Sequence, residues 1–344
     1  MLSVTLSSRV FCESVSRHVE HLLDRFSSVR ELSLPGCHLD PASVLRLSRV
    51  LPLNTTLYSL DVAGARLADD GAMLLAHALQ RNSSLRVLGL AGNALTSRGC
   101  RLIVRAIVRS RAVSELDLSE NRIGDDGCRS LGDLLAGRNC PVRRLVVADN
   151  RFGVVGASAV FAALRRNSRL VHLEVSRNEI GDESSRELAT ALIYNRTLRH
   201  LSLAGCGLTT ATCRVLARPL QTNGVLRALV LDHNERVCDA GVQALADSLH
   251  YNRSLRQLSF NQCGLTRHAL THVLSALRYN NTVRTIDVRP ASSAADQRRP
   301  SLSNQPAAAA DADGDGSHGN VTSSPTAEEL SRVLRANPLL RILA

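Results

Sequence analysis

The chain repeats itself about every 28 residues, and a period of that length leaves few folds open. Aligned on their first apolar position, the units begin at Val29, Leu57, Leu85, Val113, Val142, Leu170, Leu198, Leu226, Leu255 and Val283, in steps of 28 or 29 residues. A unit this short cannot enclose a core of its own. It must bury its apolar face on its neighbours, which is the signature of a solenoid.

The opening of each unit, as in LRVLGLAGNAL from Leu85 or LRHLSLAGCGL from Leu198, is apolar at positions 1, 4 and 6. Positions 4 and 6 alternate, so a short strand points both to one side. Position 9 is Asn93, Asn121, Asn150, Asn178 and Asn234 in five units, Cys37, Cys206 and Cys263 in three and Ala65 in one. A stacked Asn offers a donor and an acceptor to backbone groups buried where the chain leaves the strand. Cys fits the same slot as a small hydrophobe with weak polar capacity. The second half of each unit, as in ADDGAMLLAHALQRN, spaces its apolar residues three and four apart and reads as a helix. Asp69, Asp70, Asp125 and Asp126 stand at helix starts, where acids are favoured. Asn82, Asn167, Asn195, Asn223, Asn252 and Asn280 recur at helix ends, where left-handed caps are expected. The fold class predicted is α/β: a horseshoe solenoid with parallel strands on the concave face and helices on the convex face.

These units resemble the ribonuclease-inhibitor-like class of leucine-rich repeats, the repeat regions of NOD-like receptors, the Ran GTPase-activating proteins and certain centrosomal and ciliary leucine-rich-repeat proteins. The last resemblance rests on Leu231–Thr266, LDHNERVCDAGVQALADSLHYNRSLRQLSFNQCGLT. The resemblance implies a protein partner held on the solenoid. It carries two narrower expectations, a cytoskeletal, ciliary or centrosomal assembly role and regulation of a small GTPase. Against the latter, the Ran activators carry an acidic C-terminal tail, whereas this chain ends ANPLLRILA.

Four segments are expected. Residues 1–28 form an N-terminal capping helix, with Val15, Val19, Leu22, Leu23 and Phe26 over the open end; 29–288 hold the repeats. Residues 289–325, rich in Pro, Ala, Ser, Asp and Gly, form a disordered insertion. Residues 326–344 supply a C-terminal helix and a final partial repeat, whose strand edge offers a route to a dimer of an otherwise monomeric chain.

Composition narrows the function. Aromatic residues are 3% and Trp is absent, so Leu, Val and Ala must fill the core. The formal net charge is +11, and all 42 basic residues are Arg. That balance suits an acidic partner or nucleic acid, but the stacking aromatics of nucleic-acid grooves are scarce, which disfavours the second. Nine Cys without CxxC spacing suggest reduced thiols and a cytoplasmic chain. No apolar run reaches membrane-spanning length, and the first residues lack a secretory signal.

Catalytic patterns such as G-x-S-x-G, H-E-x-x-H or a Gly-rich phosphate loop do not occur, so the chain is read as non-catalytic, with no cofactor. Positions 3, 5, 7 and 8 should face the concave side. They supply the candidate partner-binding residues Glu31, Asp61, Glu115, Asp117, Arg144, His172, Glu174, His200, Asp232 and His233, with Glu120, Asp149, Arg177, Asp287 and Arg289 beside them. His172, His200, His233 and Glu174 also raise a metal reading, weaker than that of binding-face side chains because no closed ligand set is evident. Arg30, Arg86, Arg143, Arg199, Arg227, Arg256 and Arg284 share position 2 and suggest a ladder along one rim. Asp311, Asp313, Asp315 and Gly316 begin a calcium-loop pattern, yet its twelfth position is Thr322 rather than an acid. Ser301, after Arg298 and Arg299, is a candidate phosphorylation site.

Overall fold

A computed structural model describes residues 2–5, 29–289, 333 and 340–343. The alternation of inward Leu with outward residues produces, among the described residues, twelve short strands: β1 (Leu2–Thr5), β2 (Val29–Ser33), β3 (Ser59–Asp61), β4 (Val87–Gly89), β5 (Glu115–Asp117), β6 (Arg144–Val146), β7 (His172–Glu174), β8 (His200–Ser202), β9 (Ala228–Val230), β10 (Gln257–Ser259), β11 (Thr285–Asp287) and β12 (Arg341–Leu343). They pair in parallel and in chain order as one sheet. Helices α1 (Pro41–Val50), α2 (Ala68–Leu79), α3 (Ser97–Ser110), α4 (Gly124–Ala136), α5 (Val154–Leu164), α6 (Ser185–Tyr194), α7 (Thr210–Thr222), α8 (Cys238–Leu249) and α9 (Arg267–Leu277) alternate with β2–β11 and pack each on the next. The chain is thus an α/β solenoid.

Between sheet and helices the inward Leu, Val and Ala side chains form one continuous core, with Phe152, Phe161 and Phe260 as its largest fully buried groups. Where the repeat lengthens to 29 residues, Glu115 pairs with Arg144 and Ala228 with Gln257 in unbroken register. The extra residue is therefore absorbed outside the strands. Thr285 pairs directly with Arg341, so the chain from β11 to β12 runs twice the usual length.

Two buried Asn rows hold the units together. In the strand-end row, Asn121 Nδ2 donates to the carbonyls of Leu90, Leu118 and Ser119, while its Oδ1 accepts from the amides of Asn93 and Leu95. Cys206 and Cys263 occupy the same slot with only thiol contacts, to Val175 O at 3.5 Å and Leu231 O at 3.1 Å. The helix-end Asn residues differ from the left-handed caps expected of them. Asn195 and Asn223 have φ of −69° and extended ψ. Their side chains make a second ladder: Asn252 Nδ2 donates to Leu220 O and Asn223 O of the preceding unit, and its Oδ1 accepts from Ser254 N and Leu255 N. A tight Asx turn satisfies these groups without positive φ.

The helix-start acids also work across units. Asp69 accepts from Thr96 N and Gly99 N of the next helix, Asp125 from Gly153 N and Gly156 N, and Asp182 from Thr209 and Thr212. The starts of α3, α5 and α7 are thus each tied to the acid one unit earlier. At the N-terminal side, Leu2–Thr5 is a strand on β2, whereas the segment 1–28 is expected to be helical. The helix expected within 9–26, the insertion at 289–325 and most of 326–344 lie outside the described residues.

Candidate protein-binding face

The register sets the outward side chains in two rows across the sheet. The first runs Ser3, Glu31, Ser59, Val87, Glu115, Arg144, His172, His200, Ala228, Gln257, Thr285 and Arg341. The second runs Thr5, Ser33, Asp61, Gly89, Asp117, Val146, Glu174, Ser202, Val230, Ser259, Asp287 and Leu343. Five expected residues, Glu31, Asp61, Glu115, Asp117 and Arg144, border a shallow groove of about 460 Å³ over β1–β6. Its floor is open at Gly89, where a Cβ would lie 2.6 Å from Asp61 Oδ1. Asp61 accepts from Ser33 Oγ on β2 and from Ala63 N, and Asp117 from Ser119 N, so both carboxylates are held by the turn just after their own strand, and Asp61 also by the neighbouring strand.

The groove gives way to a mixed centre. The His172 and His200 rings stack with centroids 5.6 Å apart, next to Arg144 on β6. His172 Nε2 is shielded from solvent without a hydrogen-bond partner and lies 3.9 Å from Glu174 Oε2. Contact with the His172 ring is the main reason the Glu174 carboxyl sits below its ordinary range; burial opposes this, and Arg144 and Arg177 add to it. Burial, then the charges of His172, Arg227, Arg144 and Arg199, hold His200 below its ordinary value.

Position 8 carries the third group. Here Glu120, Asp149 and Arg177 stand in successive units with φ of 56°, 52° and 56°, where other units place Gly36, Gly64, Gly92 and Gly205. Arg177 reaches Glu120 at 3.6 Å and Asp149 at 4.0 Å, with all three side chains more than half exposed. Further along, Asp232 accepts from Ser259 Oγ and Asn261 N, and His233 is exposed at φ 59°. Asp287 is buried rather than presented, because Arg289 grips both its oxygens.

Other sequence candidates resolve differently. His233 does not join the His172–His200 pair, and no metal-holding group of three His, Cys, Asp or Glu gathers among the described residues. Cys100 and Cys128 are buried thiols, and burial pushes Cys100 up to about 12, far from reactive thiolate. Asn82, Asn195, Asn252 and Asn280, each followed two residues on by Ser or Thr, belong to the helix-end ladder and are at most 3% exposed. Ser301 and the Asp311–Gly316 pattern lie outside the described residues. Sequence reading passed over the exposed Tyr194, Tyr251 and Tyr279, each just before a ladder Asn. Their shared offset from that Asn was the available signal. No helix among the described residues is long and apolar enough to cross a membrane.

Comparison with known proteins fits this geometry. The Leucine Rich repeat family model matches residues 53–76, 110–132, 166–189 and 194–217. A 64-residue stretch is 41% identical to the mouse Centrosomal protein of 78 kDa, covering 19% of this chain and 8% of that protein; the chain thus matches under a tenth of this curated relative. Among solved structures, the chain is similar to one from the yeast Rad7 and Elc1 complex (18% identity, 82% of this chain and 83% of that one, TM-score 0.47). It is also similar to the leucine-rich-repeat-containing protein LegL7 from Legionella pneumophila (20% identity, 73% and 79%, TM-score 0.48). Units that bury their Leu and Asn rows on one another, four of them matched by the leucine-rich-repeat family model, make this chain a leucine-rich-repeat solenoid.

Proposed function

We propose that the chain is a non-catalytic interaction scaffold that holds a protein partner on its concave face, through the acidic groove of Glu31, Asp61, Glu115 and Asp117 and the centre formed by Arg144, His172, Glu174 and His200. The observation that carries this reading is the position-8 group. A left-handed conformation costs a non-Gly residue roughly 1 kcal/mol, and the long exposed pairs of Arg177 return little stability. Charged side chains are kept there at the expense of the fold, as expected of groups that meet a ligand.

Site-specific photocrosslinking tests this. A photoreactive residue at Val87, on the concave sheet, should trap a discrete protein in the native cell; one at Arg186, on a helix, should not. The Val87 adduct should disappear when Glu115 and Asp117 are changed to Arg. Equal adducts from both positions would sink the proposal. The 64-residue stretch that is 41% identical to a centrosomal protein supports a second reading, a place in a cytoskeletal or centrosomal assembly. A tagged chain that stays diffuse in ciliated cells would count against it.

A further inference from the structure

The rim at the start of the strands is a separate surface. Position-2 residues stack in register: Arg227 N donates to Arg199 O at 2.8 Å, Arg256 N to Arg227 O at 2.8 Å and Arg284 N to Arg256 O at 2.7 Å. Four guanidinium groups therefore leave adjacent strands, which lie about 4.8 Å apart. Earlier units interrupt the same row with Tyr58, Ser114 and Val171, and Arg86 there is anchored to the carbonyls of Ser83 and Ala112. Among the described residues, no carboxylate lies within salt-bridge distance of Arg199, Arg227, Arg256 or Arg284. The neighbouring outward row over these strands is His200, Ala228, Gln257 and Thr285, without an acid.

Aromatic groups share this rim. Tyr251 and Tyr279 are 69% and 68% exposed. The Asx turn on Asn252 separates Tyr251 from Arg256, and the turn on Asn280 separates Tyr279 from Arg284. His250 and Tyr279 rings lie against each other at 5.4 Å, and Arg165 covers the Tyr194 ring at 5.6 Å.

We infer that the rim formed by Arg199, Arg227, Arg256 and Arg284 with Tyr251 and Tyr279 docks an acidic polypeptide segment. Carboxylates three or four residues apart on a helix are spaced about 5–6 Å, which matches the step of the ladder. Exposed Tyr beside Arg is the composition of protein-binding hot spots. Base stacking needs free ring faces, and of the two rings in this set Tyr279 already lies against His250. This surface is distinct from the concave face and does not depend on the reading given to it.

Fluorescence anisotropy with labelled poly-L-glutamate and a labelled single-stranded oligonucleotide tests the inference on the full chain. Changing Arg199, Arg227, Arg256 and Arg284 together to Gln should weaken polyglutamate binding about tenfold at low salt. Changing four helix-borne residues, Arg101, Arg105, Arg186 and Arg214, to Gln removes the same charge and should leave it within about twofold. The pair Tyr251→Ala and Tyr279→Ala should weaken binding without altering its salt dependence. Circular dichroism melting confirms that each variant folds. Equal losses from the rim and helix variants would reduce the effect to net charge and overturn the inference. So would absent binding to polyglutamate, or tighter binding to the oligonucleotide. Loss of the Val87 crosslink bears only on the concave face.

Discussion

The stretch from β4 to β7 and the stretch from β8 to β11 are built from the same unit, yet they divide polar residues differently. In the first, every strand-end slot is Asn, and the charges gather on the concave side as Glu115, Asp117, Glu120, Asp149, Glu174 and Arg177. In the second, the slots run Cys206, Asn234, Cys263, and the unpaired charge moves to the rim as four successive Arg. The interior is tied more firmly where the concave face is charged. A solenoid's stability is a sum of units and nearest-neighbour interfaces, so the two stretches should loosen separately.

Asn121→Ala gives the largest expected effect. It removes five hydrogen bonds and leaves buried backbone groups without partners, a loss of about 3 kcal/mol. Cys206→Ala removes only weak thiol contacts and should cost about 1 kcal/mol. Urea unfolding measures both. If the two variants lose equal stability, the difference between the stretches is not in the ladder. Hydrogen exchange sharpens the point: amides of β8 and β10 should exchange before those of β5 and β7.

Gly89→Val comes next. The same outward row holds Val230 in the second stretch, but at Gly89 the new Cβ meets Asp61 Oδ1 at 2.6 Å. The carboxylate must move, at about 2 kcal/mol, and the acidic groove fills. A variant as stable as the parent would show the groove to be more yielding than its geometry implies.

How much of this was legible follows from where each interaction sits along the chain. The strands, the Leu rows and the Asn/Cys slot repeat within one unit, so a period reveals them. Asn252 and its equivalents were also visible, but their spacing fits a left-handed cap and an Asx turn alike; only the backbone decides, and it chose the turn. The bonds from Asp69 to Thr96 and Gly99 join consecutive units, and attention to one unit at a time misses them. The concave rows follow from strand alternation. The burial of Asp287 does not, because it depends on Arg289 folding back two residues later.

A smaller effect separates stability from binding at position 8. Arg177→Gly relieves the left-handed backbone and should raise stability by about 1 kcal/mol while weakening partner capture. Gly205→Arg, the reciprocal change one unit later, should lower stability by about the same amount. Thermal melts of the two variants should move in opposite directions. Movement in the same direction would remove the argument that Arg177 is kept for a partner.

The smallest effect marks the boundary between the stretches, at His200. Burial and the charges of His172, Arg227, Arg144 and Arg199 disfavour its protonated form, so its folded value lies below its unfolded one. The unfolded chain therefore binds the extra proton first, and stability falls as pH drops from about 6.5 toward the lowered value. Glu174 and Asp182 are also held low, Glu174 chiefly by contact with His172, and Asp182 by Thr209 and Thr212 against the opposing pull of burial. Their contribution is present above the ordinary carboxylate range and is lost only as pH falls through it. Two separate steps should appear in stability against pH. His200→Gln should erase the upper step and leave the lower, whereas a retained upper step would assign it to another histidine and move the boundary away from the His172–His200 stack.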